Sequence, residues 1–136
     1  ALYTLLRLGW GQDDPVFRQM WSELFIPGGT PDQMQWFKEL ERISASPENA
    51  MRFSIVFGQI DVVDLLPKVR VPTIVFHCDQ DAVVPFEDGR LVAAGIANAK
   101  FVPLASRNHL LLGNEPTWKI FLRELGDFLG WQSSSQ

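Results

Sequence analysis

The fold is predicted chiefly from one stretch of sequence, VPTIVF at residues 71–76. Its β-branched and aromatic residues form a nearly continuous apolar run, which is typical of a strand buried on both faces of a sheet. A helix is predicted from Pro85 to Ile96, and a second short strand is predicted at Phe101–Leu104. A strand, a crossover helix and a second strand form a right-handed βαβ unit. The two strands are therefore expected to be parallel neighbours.

A last helix is predicted after this unit, with Asn114 as its N-cap and Gly130 as its C-terminal stop. Its apolar residues recur at helical spacing on one face: Trp118, Phe121, Leu122, Leu125 and Leu129. Two strands alone leave the edges and faces of a sheet open. We therefore expect strands 71–76 and 101–104 to be covered, either by a missing N-terminal half or by a second copy of the chain.

Residues 1–66 are predicted to form consecutive helices. Three of these helices begin with a capping residue that is followed by proline at the first helical position: Asp14-Pro15, Thr30-Pro31 and Ser46-Pro47. Gln33 has the spacing that completes a capping box with Thr30. The predicted organisation is thus a helical region at 1–66, a strand–helix segment at 67–131 and a disordered tail at 132–136.

Composition limits the classes of partner and the compartment. The 136 residues carry a formal net charge of −4, which disfavours direct nucleic-acid binding because phosphate recognition needs a basic surface. Cys78 is the one cysteine, so an internal disulfide is impossible and a reducing cytoplasm is the predicted location. No apolar run reaches membrane-spanning length, so no membrane partner is predicted. The chain begins at Ala1 within an apolar stretch, and we expect further sequence upstream.

Chemistry is expected in the two loops that follow the strands, because sites of open parallel sheets lie beyond the carboxyl ends of their strands. The first loop, residues 77–85, contains Asp79 and Asp81, and the second, residues 105–109, ends in His109. Adjacent parallel strands lie about 5 Å apart, so an aspartate of the first loop is expected to meet His109. An Asp–His hydrogen bond would fix the imidazole tautomer for general-base chemistry. From the residues alone, either aspartate is compatible with this contact.

Other interpretations of these loops are less favoured. A turn aspartate and a loop histidine often serve only local hydrogen bonding. His77, Cys78, Asp79 and Asp81 are all metal-ligating types, but close neighbours in an extended segment point in alternating directions, and a second ligand pair is missing from the sequence. We therefore predict no metal and no cofactor. Cys78 is not expected to be a nucleophile, since no histidine is expected to approach it.

These segments resemble the α/β-hydrolase superfamily. Residues 71–77, with Asp81 and Val84-Pro85, are similar to the penultimate strand and acid loop of that family, and Ser106-Arg107-Asn108-His109 is similar to its histidine loop. The resemblance implies that Asp81 is the acid of a catalytic triad and that His109 is its general base. A family member also needs a nucleophile elbow, Gly-x-Ser-x-Gly, and an oxyanion hole. The 136 residues contain no such elbow, so the chain alone is predicted to be inactive.

The helical region lies where this family inserts its lid domain. Its segments Gly9-Trp10-Gly11-Gln12, Phe25-Ile26-Pro27 and Ser46-Pro47-Glu48 are similar to the lids of hydrolase domains fused to bacterial transcriptional regulators and adenylate cyclases. Lids of this kind close over apolar pockets. The predicted substrate-binding residues are Trp21, Met34 and Phe37.

The sequence thus predicts an α/β fold, namely a helical lid followed by the C-terminal βαβα portion of an α/β-hydrolase parallel sheet. The expected parent is a serine hydrolase acting on an ester, a lactone or a related acyl substrate, with the serine supplied from outside this chain. The alternative interpretation is a ligand-sensing or dimerisation module of a transcriptional regulator or cyclase, without turnover.

Overall fold

The computed structural model describes residues 2–10, 12 and 14–131, and the predicted disordered tail at 132–136 lies outside them. The elements are, in chain order, helices α1 (Leu2–Gly9), α2 (Pro15–Phe25), α3 (Pro31–Ser44) and α4 (Pro47–Phe57), a short 3-10 helix (Val63–Lys68), strand β1 (Ile74–Cys78), helix α5 (Phe86–Gly95), strand β2 (Lys100–Leu104) and helix α6 (Pro116–Leu129). The chain forms two compact units that divide between Asp61 and Val62. No helix in the described ranges has both the length and the apolar character needed to cross a membrane.

The predicted helix starts of the first unit are confirmed. Asp14 Oδ1 accepts hydrogen bonds from two backbone N–H groups of α2. Thr30 and Gln33 form the capping box, because the Gln33 N–H donates to Thr30 Oγ1 at 3.3 Å and the Thr30 N–H donates to Gln33 Oε1 at 2.9 Å. Ser46 Oγ accepts a hydrogen bond from a backbone N–H of α4 at 3.3 Å. Each cap satisfies donors that have no partner inside the helix.

Aromatic side chains build the core of the first unit. The Trp21 ring centroid lies 5.6 Å from that of Trp10, 5.8 Å from that of Phe17 and 5.0 Å from that of Phe25. The Phe25 ring in turn lies 5.6 Å from the ring of Phe37. Such ring pairs stabilise a core beyond the effect of the area that they bury.

The second unit contains the parallel strand pair that the sequence predicts. Strands β1 and β2 pair in register, from Ile74 opposite Lys100 to Cys78 opposite Leu104. Helix α5 is the crossover between them. Because the strands are parallel, both end at the same edge of the sheet. The loops after β1 and β2 therefore leave the sheet side by side.

The first strand differs from its prediction in position and burial. It begins at Ile74 rather than at residue 71, because Pro72 has no N–H to donate and the Thr73 hydroxyl bonds to the carbonyl of Val71 at 3.0 Å in a bend. Every residue of β1 except Cys78 is only half-buried, whereas the sequence predicts burial on both faces. The difference follows from the two-stranded sheet of the described residues, which leaves its faces partly uncovered.

The final helix differs from its prediction at one end only. Glu115, not Asn114, occupies the N-cap, because Pro116 is the first helical residue. The side chain of Glu115 makes no hydrogen bond to the backbone of α6. At the other end, Gly130 adopts the left-handed conformation with φ of 66°, which confirms the predicted glycine stop.

Candidate active site

The loop after β1 holds the Asp81 carboxylate through both of its oxygens. Oδ1 accepts hydrogen bonds from the backbone N–H groups of Val83 at 2.7 Å and of Val84 at 3.1 Å. Oδ2 lies 2.7 Å from Nδ1 of His109. The Asp81 side chain is only 4% exposed. The sequence predicts a contact between a loop aspartate and His109. This contact is present, and the aspartate is Asp81.

This contact sets the tautomer of His109. An ionised carboxylate only accepts hydrogen bonds, so Nδ1 of His109 carries the proton that it donates to Asp81. In the neutral ring, Nε2 then presents a lone pair that accepts a proton. The His109 side chain is 28% exposed, which leaves the imidazole more accessible than its partner. The ring therefore has the tautomer and the access that a general base requires.

Asp81 is held in its ionised form. Burial by itself raises the pKa of this carboxyl group, but hydrogen bonds from the His109 ring and from the Val84 and Val83 amides favour the carboxylate more strongly. The pKa of Asp81 consequently lies below its ordinary value. At neutral pH the group is a carboxylate, which would stabilise a positive charge on the neighbouring imidazole.

Asp79, the other aspartate of the loop, fixes backbone rather than the histidine ring. Its Oδ1 accepts a hydrogen bond from the backbone N–H of Ser106 at 3.2 Å. The Gln80 N–H donates to the Ser106 carbonyl at 3.1 Å. These two bonds join the acid loop to the histidine loop. The residues alone left both aspartates open and the family resemblance implied Asp81; Asp81 is the one that is hydrogen-bonded to the His109 ring.

A second histidine lies beside the same carboxylate, and sequence reasoning missed this role. Nε2 of His77 donates a hydrogen bond to the Val84 carbonyl at 3.0 Å and lies 3.7 Å from Oδ2 of Asp81. His77 approaches α5 so closely that a Cβ at Gly89 would lie 2.3 Å from its Nδ1. Glycine at position 89 is therefore required for packing. The available signal was the four-residue spacing of His77 and Asp81 across the end of a strand.

The metal-ligating residue types of the acid loop have separate partners. His77 binds the Val84 carbonyl, and Asp79 binds the backbone of the histidine loop. In the part of the chain that the structure describes, no group of three or more His, Cys, Asp or Glu side chains is arranged to hold a metal ion.

A cavity of about 260 Å³ opens beside the Asp81–His109 pair. Its walls come from both strands, both loops and α6: Phe76, His77, Cys78, Asp81, Val84, Leu104, His109, Leu111, Trp118 and Phe121. Small-molecule sites combine apolar walls with a few polar groups that fix orientation. This cavity has that composition, with the carboxylate–imidazole pair as its polar part.

Cys78 lies in the wall of this cavity but is unsuited to be a nucleophile. Burial raises the pKa of its thiol, and the carboxylates of Glu115, Asp81 and Asp79 raise it as well. A hydrogen bond with Ser106 acts in the opposite direction but does not outweigh them. Only the thiolate is a strong nucleophile, so a thiol with a raised pKa is unreactive at neutral pH.

The histidine loop carries a hydrogen-bond network that sequence reasoning also missed. Ser106 Oγ donates to Oε2 of Glu115 at 2.7 Å, and Nδ2 of Asn108 donates to Oε1 of the same carboxylate. Thr117 Oγ1 donates to the Ala105 carbonyl at 2.7 Å. Ser106 is 7% exposed and Asn108 is 2% exposed. The sequence signal was the pair of polar residues just before the histidine, but only the fold shows that they are buried.

The predicted substrate-binding residues lie in the first unit. Trp21 lines an apolar cavity of about 410 Å³, together with Trp10, Phe25, Ser44, Ala45, Ala50, Phe53, Ser54 and Phe57. Phe37 is 7% exposed and packs in the core of this unit, and Met34 is half-buried. A role of these three residues in substrate binding stays a prediction.

The fold is shared with a solved structure. The esterase (EaEST) from Exiguobacterium antarcticum matches the chain with a TM-score of 0.76 at 24% sequence identity, over 94% of this chain and 47% of the esterase chain. The chain has the fold of an α/β-hydrolase-like C-terminal portion. The α/β-hydrolase-like fold that the sequence resemblance implied is confirmed.

A comparison of sequences agrees with the fold. The chain is 29% identical over 88 residues to the AB hydrolase superfamily protein YisY of Bacillus subtilis (strain 168), which covers 65% of this chain and 32% of that protein. No family profile matches the sequence. The α/β-hydrolase-like chain therefore spans about a third of the length of this relative and about half of the esterase chain.

Proposed function

We propose that this chain supplies the acid and the general base of a serine hydrolase that acts on an ester, a lactone or a related acyl substrate. The observation that carries the proposal is the 2.7 Å contact between Oδ2 of Asp81 and Nδ1 of His109. Carboxylate–imidazole pairs of this geometry at the ends of parallel strands are suited to activate a hydroxyl nucleophile. The likeness in fold to an esterase supports the same class of reaction.

In the proposed reaction His109 moves one proton in each half of the cycle. Its Nε2 takes the proton of a serine hydroxyl while the serine oxygen forms a bond to the acyl carbon. The imidazolium then gives this proton to the leaving alcohol oxygen as the ester bond breaks. Asp81 stabilises the imidazolium and keeps Nδ1 protonated, so that Nε2 faces the reacting oxygen. A water molecule repeats both steps to release the acid.

Two parts of the proposed site come from outside the chain. The 136 residues contain no Gly-x-Ser-x-Gly segment, so both the serine and the amides of an oxyanion hole belong to a partner segment. We propose that this partner is an N-terminal portion of the same protein, because the chain spans 47% of the esterase chain and 32% of the relative that it matches. The same portion would cover the half-buried strand β1. The helices of the first unit would act as the lid, and a cytoplasmic location is part of the proposal.

The test is a hydrolysis assay on the longer polypeptide that contains this chain and an elbow serine. With p-nitrophenyl acetate as substrate, His109→Ala and Asp81→Asn are each expected to lower kcat at least about 1,000-fold, because each removes one member of the triad. The matched control is Asp127→Asn, which changes an exposed carboxylate of α6 and is expected to leave kcat unchanged. The 136-residue chain alone is expected to be inactive.

Two outcomes would contradict the proposal. If His109→Ala keeps more than a tenth of the parental kcat, His109 is not the general base. If the elbow position of the longer polypeptide carries a residue other than serine and acyl ligands bind without turnover, the fold serves as a sensing module. Fusion to a transcriptional regulator or a cyclase belongs to that second outcome.

A further inference from the structure

Glu115 occupies a capping position without capping its helix. It directly precedes α6, and its side chain makes no hydrogen bond to the backbone of that helix. Ser, Thr, Asp and Asn are the residues that cap helices well, and loss of such a cap costs about 1 kcal/mol. A helix start that lacks this stabilisation points to another use of the side chain, since local rules are usually broken where a site requires it.

The Glu115 carboxylate binds the histidine loop instead. Its Oε2 accepts a hydrogen bond from Ser106 Oγ at 2.7 Å, and its Oε1 accepts one from Nδ2 of Asn108. The Ser106 hydroxyl also accepts a hydrogen bond from the backbone N–H of Asn108 at 3.0 Å. Hydrogen bonds to an ionised acceptor are roughly twice as strong as those between neutral groups. One carboxylate therefore fixes two residues of the four-residue segment that ends in His109.

Two further contacts of this loop hold its backbone. Asp79 accepts the Ser106 N–H at 3.2 Å, and the Thr117 hydroxyl donates to the Ala105 carbonyl at 2.7 Å. Neither contact reaches the side chain of Asn108, which is 2% exposed and directly precedes His109. Loss of a charged acceptor is costly for a buried amide, so we expect the backbone at residue 108 to shift when the Glu115 carboxylate is removed.

We propose that Glu115 is a positioning residue, which acts through Ser106 and Asn108 to hold the His109 ring against Asp81. The general-base role of His109 rests on the proposed function, whereas the network itself rests on the contacts above. The carboxylate also lies at the N-terminal end of α6, where the helix dipole favours a negative charge. Glu115 thus joins the start of α6 to the ring orientation of His109.

The test is an NMR measurement on the 136-residue chain labelled with ¹⁵N. The proton on Nδ1 of His109, which is shared with Asp81, is expected to give a low-field signal that exchanges slowly with water. In Glu115→Ala this exchange is expected to be at least about tenfold faster, because the network loses its acceptor. The conservative Glu115→Gln keeps the oxygen that accepts from Asn108, and its exchange rate is expected to lie between the two. The control Asp127→Ala removes an exposed carboxylate of the same helix and is expected to behave like the parent.

The outcomes separate this inference from the proposed function. If Glu115→Ala folds and keeps the parental Nδ1–H exchange rate, the positioning role is wrong, and the assignment of Asp81 and His109 is untouched. If Glu115→Ala does not fold, the double variant Ser106→Ala/Asn108→Ala decides, because it removes both donors to Glu115 and an unchanged exchange rate in it overturns the proposal. Conversely, absence of the proposed hydrolase activity in the longer protein would not alter the exchange rates of the 136-residue chain.

Discussion

The two units of the molecule use the polar residues that precede their helices in opposite ways. In the first unit, Asp14, Thr30 and Ser46 each accept hydrogen bonds from backbone N–H groups two or three residues ahead, in the helix that they precede. These contacts are local in sequence. Their effect is to start α2, α3 and α4, and they do so by a rule that can be applied to any helix.

In the second unit neither α5 nor α6 has a side-chain cap. The polar groups near these helices also bind across loops: Asp81, besides its local bonds to the Val83 and Val84 amides, reaches His109, 28 residues away, and Ser106 reaches Glu115, nine residues away. Helix capping rules are thus followed in the first unit, where the helix only has to form. They are broken where separate loops have to be joined into one site.

The largest effect is expected where α5 touches the site. Gly89→Ala places a methyl group 2.3 Å from Nδ1 of His77, so either the ring or the helix has to move. Overpacking of this kind lowers the free energy of unfolding by about 1–3 kcal/mol, which more than offsets the higher helix propensity of alanine. Urea denaturation of the chain measures the change.

Gly113→Ala is the matched control for this variant. A Cβ at position 113 has no atom within 4 Å, so stability is expected to be unchanged or slightly higher. If Gly89→Ala is as stable as Gly113→Ala, the close packing of His77 against α5 is contradicted. In that case the site in the second unit would depend less on tertiary packing, and its contrast with the local helix caps of the first unit would be weaker.

The capping contrast itself is tested by alanine variants of the first unit. Asp14→Ala, Thr30→Ala and Ser46→Ala are each expected to lower the free energy of unfolding by about 1 kcal/mol through the loss of a cap. The control Gln35→Ala, at an exposed position of α3, is expected to have no such effect. Because the caps are local, these three variants are expected to leave the His109 Nδ1–H signal unchanged. A cap variant that alters this signal would contradict the comparison.

The smallest effect is expected from acid. The pKa of Asp81 is lowered in the folded chain, so its contribution to stability is present above the pKa of the unfolded chain, about 3.9. It is lost as the pH falls through the lower folded value. The stability of the parent is therefore expected to converge with that of Asp81→Asn below about pH 4, as followed by urea denaturation across pH. Asp127→Asn serves as the exposed control. If the difference in the free energy of unfolding between the parent and Asp81→Asn does not narrow with acid, the Asp81 carboxylate is not held in its charged form.

Several parts of the fold were predictable because their signals lie within a few residues. The Thr30–Gln33 capping box and the glycine stop at Gly130 are both readable from adjacent positions, and both are present. The βαβ order was predictable from the apolar runs and the helix between them. The start of β1 was predicted wrongly. The apolar run from residue 71 looks like continuous strand, but Pro72 has no N–H to donate and the chain bends at Val71.

The site was predictable only in outline. The residues alone placed a loop aspartate near His109 and left Asp79 and Asp81 open, whereas the family resemblance pointed to Asp81, which is the side chain that turns toward the ring. The approach of His77 to Gly89 had no sequence signal beyond a glycine inside a predicted helix. The Glu115 network was missed because Asn114 is the better capping residue by type.

The sequence by itself determined the order of the elements, the starts of the first helices and the presence of an acid and a histidine beyond two parallel strands. Only the tertiary structure decided why position 89 has no side chain and where the Glu115 carboxylate points, and it showed the Asp81–His109 contact that the family resemblance had implied. The physical reason is distance along the chain. Helix caps join residues two or three positions apart, whereas the Asp81–His109 contact joins residues that become neighbours only when β1 and β2 pair.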